Sequence, residues 1–339
     1  MIKSLQKIDG SESYTVVVEI QIKVIWALVA ALGTRLVGGM SIIWSGTQHV
    51  GEVMETFSGC QISRDAEGRT TLRFTSFGFL AEISVSSDCS LSALEDYLPP
   101  YRKPGFEGQP DRAYAIESRE SEPGGSTCYR LMRGLRLLHE GELLTDVLSA
   151  FESDLALAIA TDDRHEMVFV HAGVVAWQHG AVVIPGQSRC GKSTLVMALV
   201  SAGGHYFSDE FAVFDSDGLV HPYQRVPSLR GADRWAQGTK TREDALMLER
   251  VAEPVVVQGV LLSSYASQAR FSPQSMSSGR GVLKLLEHAV SAQLDPQRVL
   301  RSLVRAVEGV KVWEGERGEA AEVVEWMLAR QQASEESGS

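Results

Sequence analysis

The sequence predicts an α/β protein, and three observations carry that expectation. Residues 167–175 and 181–185 are short apolar runs rich in β-branched residues, separated by the turn-like Gln178-His179-Gly180. A glycine-rich turn then leads into the helix-forming run Ser193–Ala202. After Gly203-Gly204, Tyr206–Phe214 is again strand-like. Strands interleaved with a helix are the signature of an α/β core. The residues before position 140 have a different pattern, alternating strands with one short helix, and read as an α+β region.

Composition sets the class. The chain has 339 residues, 44% hydrophobic and 22% charged, so it carries enough apolar side chain to bury a core and is not a disordered protein. The net charge of −11 argues against a nucleic-acid-coating protein. Cys60, Cys89, Cys128 and Cys190 form no CxxC pair and no disulfide framework, which fits a reducing compartment. The apolar stretch Val16–Trp44 is broken by Glu19, Lys23 and Arg35. Its uncharged runs fall short of the ~20 residues a spanning helix needs, and no secretory signal is legible. A cytoplasmic protein without stable membrane insertion is expected.

Along the chain, residues 1–12 are polar and expected to be loose, and 13–23 alternate as a strand. Residues 70–86 read as two strands around Gly78. Ser90–Leu98 reads as a short helix stopped by Pro99-Pro100. Lys103–Thr127 is loop-like, with a strand at Arg112–Ser118; Thr127–Leu138 is a strand and Glu140–Glu142 a turn. Leu143–Ala160 is an amphipathic helix with Leu144, Val147, Leu148, Phe151, Leu155, Leu157 and Ile159 as its apolar positions. Pro254–Leu262 is a strand and Ser263–Gly281 a Ser/Gln/Gly-rich loop. Val282–Val290 and Asp295–Val307 are helices, Val310–Glu314 a strand, Glu319–Arg330 a last helix, and 331–339 a disordered tail. The expected division is 1–140, 141–330 and that tail.

The sharpest motif is Gly186-Gln187-Ser188-Arg189-Cys190-Gly191-Lys192-Ser193, followed by Thr194. It fits G-x-x-x-x-G-K-[ST], the P-loop, a pattern met by accident in roughly one chain in a hundred of this length. Here a strand precedes it and a helix follows, as the motif requires. The glycines let successive N–H groups converge on phosphate oxygens, and the helix N-terminus adds positive potential. Lys192 would reach the β/γ-phosphates and the Ser193 hydroxyl would ligate Mg²⁺. ATP and Mg²⁺ are therefore the expected cofactors.

Asp209 follows Lys192 by 17 residues, on the strand directly after the helix. If that strand neighbours the loop's own strand, Asp209 and Glu210 can divide the work of general base and metal ligand. His171 precedes Gly186 by 15 residues, on the partner strand of a hairpin.

These features in this order resemble the HPr kinase/phosphorylase family, whose kinase domain shares a P-loop fold with phosphoenolpyruvate carboxykinase. The matching stretch runs from Val170 to Phe214, and the general layout extends over about 140–330. The sequence is most similar to the divergent HPr-kinase-like serine kinases, including those associated with lasso peptides, whose acceptor is a C-terminal serine of the precursor. The resemblance implies a kinase domain of that type, with Asp209 as base and His171 and Lys192 at the phosphate. Glu210 stands where the family has a second Asp. The family's Glu-Ile-Arg-Gly-Leu-Gly signature is matched only by Arg230-Gly231, within VHPYQRVPSLRGADRW. That departure weighs against phosphorylase activity and against HPr as substrate. The family's hexamers imply a homo-oligomer.

Arg225, Arg230 and Arg234 follow the Asp209 strand. Such a cluster suits a phosphate or carboxylate, with Arg230 and Arg225 as the expected substrate contacts. Arg270 and Arg280 lie in the 263–281 segment, where a lid over the nucleotide is conceivable. Trp177, Trp235 and Trp313 read as packing residues. The expected partner is a peptide or small protein bearing an acceptor serine, with no nucleic acid. The alternatives left open are an HPr-type phosphocarrier kinase, a small-molecule phosphotransferase and a nucleotide-gated binding module.

Overall fold

A computed structural model describes residues 2–7, 14–18, 59–87, 89, 91–120, 126–178, 180–187, 190–225, 228–229, 239–240 and 253–337. The chain divides into two compact units, Met1–Gly51 and Glu52–Ser339. The described part of the first is an antiparallel pair, β1 (Ile2–Lys7) with β2 (Tyr14–Val18). The strand at Ile2–Lys7 falls where a loose segment was expected. Most of the apolar Val16–Trp44 stretch lies outside the described residues.

The second unit is a mixed α/β body with two multi-stranded sheets. One is built from β3 (Gln61–Arg64), β4 (Thr70–Ser76), β5 (Phe79–Val85), β6 (Lys103–Pro104), β7 (Arg112–Glu120), β8 (Thr127–Arg133) and β9 (Arg136–Gly141). Its order is β3-β4-β5-β7-β8-β9, with β6 on β4; only β5 and β7 run parallel. Along β4 and β5 every second residue is buried, the period a one-sided sheet needs. The short helix α1 (Leu91–Glu95) follows β5. The expected single strand 127–138 is a hairpin instead, turned at Gly134-Leu135, where Gly134 takes φ +57°. Helix α2 (Leu144–Ala160) packs on β8 and β9 through Val147, Leu148, Phe151 and Leu155, while Leu157 faces outward and is exposed.

The second sheet is assembled from β10 (Val168–Trp177), β11 (Gly180–Pro185), β12 (His205–Ser208), β13 (Phe211–Phe214), β14 (Val220–His221), β17 (Val257–Tyr265), β18 (Gln274–Met276) and β19 (Lys311–Arg317). Between them, β15 (Ser228–Leu229) and β16 (Thr239–Lys240) form a small separate pair. The order is β14-β13-β10-β11-β17-β19-β18, with β12 also on β10. β11, β17 and β19 are parallel and the other pairings antiparallel. Strand β10 is central and apolar on both faces, as a doubly covered strand must be.

Helices α3 (Lys192–Ser201) and α6 (Ala320–Ser337) cover one face, where Leu195, Leu199, Val323 and Met327 meet Val175, Val182, Ile184 and Leu261. Helices α4 (Ser278–Glu287) and α5 (Pro296–Val307) cover the other, where Leu285, Val299 and Leu303 meet Val170, Val260 and Val312. Helix α5 is capped by Asp295, whose carboxylate accepts from Arg298 N at 3.0 Å, with Pro296 at the first position.

The two sheets share one core. Phe169, Phe211, Val213 and Tyr223 of the second sheet region pack with Phe74, Ile83, Tyr97 and Phe151 of the first. The expected boundary near residue 140 falls inside this unit. The segment 263–281, expected as loop, contains the end of β17, β18 and the start of α4, because β18 finds a partner in β19. The tail expected to be disordered continues α6 to Ser337, through Gln, Ala and Glu residues that favour helix. Among the described residues, no helix is long and apolar enough to cross a membrane.

Candidate functional site

The glycine loop joins β11 to α3, at the carboxyl edge of the parallel strands, where ligands bind in open α/β sheets. Gly191 closes the loop with φ +82°, a left-handed conformation that glycine adopts without strain, and helix α3 starts at Lys192. Ser193 is half-buried and Thr194 exposed in its first turn. Ser188 and Arg189 lie outside the described residues.

Lys192 is buried, 6% exposed, and its Nζ donates to Gly186 O at 2.9 Å and Gln187 O at 2.8 Å. Burial pushes its ammonium below the usual value, against the pull of Glu210 and Asp209. His171 lies alongside: its Nδ1 donates to Gly186 O at 2.8 Å and stands 3.4 Å from Lys192 Nζ.

His171 lies within β10, the hairpin partner of the loop's own strand β11, and β10 rather than β11 receives the Asp209 strand. The sequence expectation of one strand from Tyr206 to Phe214 is corrected here. The chain breaks into β12 and β13 at Asp209-Glu210, directly across β10 from His171–Gly173. Two features make the break. A bulge at Phe207 sets Ser208 opposite Val174 and Tyr206 opposite Val175. The Ser208 hydroxyl then accepts from Glu210 N at 3.1 Å and Phe211 N at 3.0 Å, replacing the lost ladder.

The two acidic side chains take different surroundings. Asp209 is buried, and Tyr206 Oη donates to its Oδ1 at 2.9 Å. Tyr206 is itself fully buried; burial, with the Asp209 charge beside it, pushes the phenol well above its ordinary value, so it stays a donor. Glu210 Oε1 lies 3.5 Å from His171 Nε2, and its Oε2 lies 3.6 Å from Arg225 Nη2. Burial raises the Glu210 carboxyl, but His171, Arg225 and Lys192 outweigh it and hold the group at about 2. Glu210 is therefore held as an anion by its neighbours, whereas Asp209 faces the Tyr206 hydroxyl.

Arg225 is turned inward and also pairs with Glu152 Oε1 at 3.2 Å. A line of alternating charge results, Lys192, Glu210, Arg225 and Glu152, with His171 between the first two. Glu152 comes from α2, on the other sheet's layer. Arg225 is thus committed to two carboxylates. Arg230 and Arg234 lie outside the described residues, as does Trp235. Arg280 pairs with Glu314 at 3.0 Å, and Arg270 is exposed. Trp177 and Trp313 are packing residues, as expected.

Four contributors were not singled out in the sequence. Arg317, at the end of β19 and 3% exposed, donates from Nη2 to Cys190 O at 3.2 Å and Gly191 O at 3.0 Å, and from Nε to Ser263 Oγ at 2.9 Å. Burial lowers its pKa, as expected for a desolvated cation. His288, which ends α4, accepts at its backbone carbonyl from His171 N at 2.9 Å. Burial pushes its imidazole down, and His171 and Lys192 push the same way. Tyr206 and Glu152 complete the set. A buried charge two strands along the sheet from the loop strand, and more than a hundred residues later in the chain, has no local spacing signal; only the sheet order brings Arg317 to the loop.

Among the described residues no group of three or more His, Cys, Asp or Glu is placed to hold a metal ion by itself. The oxygen donors of the metal-ligand expectation are the Ser193 hydroxyl, in the first turn of α3, and the Glu210 carboxylate, which faces His171 and Arg225. No protein-family model matches the chain, and no curated protein matches it.

Proposed function

We propose that the chain is an ATP-dependent kinase of the HPr-kinase-like type that phosphorylates a serine hydroxyl of a peptide or small protein. The observation that carries this reading is the convergence on one loop of a buried lysine, a histidine and two acidic residues with unlike environments. One acid is fixed as an anion and the other accepts a single phenol hydrogen bond. Phosphoryl transfer asks for this division, because catalysis there is positioning and charge neutralisation rather than covalent chemistry.

In this reading ATP lies on the Gly186–Thr194 loop. Lys192 leaves the loop carbonyls and turns to the β/γ-phosphates. Ser193 and Glu210 would hold Mg²⁺, which neutralises phosphate charge when bound. Tyr206 orients Asp209, whose free oxygen takes the proton of the acceptor hydroxyl. The serine oxygen bonds to the γ-phosphorus, the bond to the β–γ bridging oxygen breaks, and ADP leaves. His171 joins Glu210 to the loop and keeps the carboxylate beside the transferring group. Serine as acceptor rests on the family resemblance of Val170–Phe214; a cytoplasmic location follows from the same reading.

The test is incubation of the full chain with Mg-ATP and three acceptor classes: serine-terminated peptides, an HPr-type phosphocarrier and small hydroxy metabolites. The account expects ADP release coupled to a phosphorylated peptide or protein. Transfer to a metabolite alone would replace it with a small-molecule phosphotransferase. ATP binding with no transfer to any acceptor would replace it with a nucleotide-gated module.

A further inference from the structure

The site described so far handles phosphates and leaves the rest of the nucleotide without a partner. Beyond Arg317 lies Tyr265, the last residue of β17. The two are direct partners in the parallel register of β17 and β19, so their side chains leave the sheet on the same face. That face carries α3: Arg317 reaches the loop carbonyls there, and Ser263, two residues before Tyr265, takes the Arg317 Nε hydrogen bond. The Arg317 guanidinium stands 5.7 Å from the centre of the Tyr265 ring. One guanidinium therefore separates the ring from the last carbonyls of the glycine loop.

Among the described residues, Tyr265 makes no ring-to-ring contact, and the one charge over its face is Arg317. Tyr265 is 56% exposed, whereas the other aromatic residues on this side, Phe271, Trp313 and Trp326, pack edge-to-face on one another. An open, flat ring held over a cation at the carboxyl edge of the strand beside the loop strand has the features of a stacking platform. We propose that Tyr265 is the surface on which the nucleobase of the bound nucleoside triphosphate stacks, with Arg317 tying that platform to the phosphate loop. The proposal rests on the nucleotide-binding reading above. Because an aromatic face reads every base alike, it implies affinity for the base without strong choice among purines.

The experiment is calorimetric titration of the full chain with two probes, ATP and inorganic tripolyphosphate, the second lacking a base. The proteins are the wild type, Tyr265→Ala and Tyr265→Phe. With the side chain more than half exposed, neither substitution threatens the fold. The expected result is a roughly tenfold weaker Kd for ATP in Tyr265→Ala. Its tripolyphosphate affinity should stay within about twofold of the wild type, and Tyr265→Phe should bind ATP almost normally. Unchanged ATP affinity in Tyr265→Ala would overturn the proposal. Equal loss for both probes would also overturn it, since Tyr265 would then act through Arg317 and the loop. If the wild type bound neither probe, the nucleotide reading itself would fail, and that is seen before any variant is compared.

Discussion

Arg225 and Glu152 form a buried ion pair, Nη1 to Oε1 3.2 Å, that ties helix α2 to the residues around the glycine loop. The same guanidinium faces Glu210 at 3.6 Å. Removing one member of such a pair strands a charge in the interior. Arg225→Met should therefore destabilise the protein by about 3 kcal/mol, with the double variant Arg225→Met/Glu152→Gln losing less than the two single losses added. Denaturant titration of the four proteins measures the coupling; strict additivity would mean the pair is not coupled.

Glu210 gives a pH signature. Its folded carboxyl titrates at about 2 against an ordinary 4.5, so its folded-state pKa is depressed. The group then contributes stability that is complete above the ordinary value and disappears as pH falls toward 2. The stability gap between wild type and Glu210→Gln should shrink steadily between about pH 5 and pH 2. A gap that stays constant over that range would show that the carboxylate is not held by His171, Arg225 and Lys192.

Gly191 tests the loop geometry. A Cβ there would lie 2.5 Å from Arg317 Nη2, and the residue's φ of +82° disfavours any L side chain. Gly191→Ala should cost about 1–2 kcal/mol from backbone conformation alone, displace Arg317 and weaken ATP binding. Thermal unfolding and nucleotide titration read the two effects separately. Unchanged binding would free Arg317 from any role in shaping the loop.

Lys192→Ala should lower phosphoryl transfer by about a hundredfold or more, the scale of losing one donor to developing charge. It also leaves the Gly186 and Gln187 carbonyls without their donor and takes one cation away from Glu210, so a stability loss of about 1–2 kcal/mol should accompany it. Steady-state turnover with circular dichroism checks both halves of that statement.

What the sequence reveals of this site is what sits in short range of the loop. The glycine loop, Lys192, His171 and the Asp209-Glu210 pair are legible because hairpin and helix bring them together within 45 residues of chain. What escapes is set by sheet order. Nothing local says that β12 joins β10 rather than β11, that the strand breaks at Asp209, or that β19 runs on to Arg317. Glu152 reads as one acid among several on an amphipathic helix, and only packing of that helix against both sheets gives it Arg225 as a partner. In the fold, the long apolar runs 168–177 and 181–185 announce a covered sheet. The turn at Gly134-Leu135, by contrast, looks like a strand interior until Leu135 is seen fully exposed.

The central claim is that Asp209 takes a proton from an acceptor hydroxyl as ATP gives up its terminal phosphoryl group. Intact-mass analysis of a serine-terminated peptide after incubation with Mg-ATP tests it most directly, with wild type and Asp209→Asn side by side. The account predicts one added phosphate with the wild type and almost none with the variant, while both bind ATP alike. Equal phosphorylation by the two proteins would contradict it.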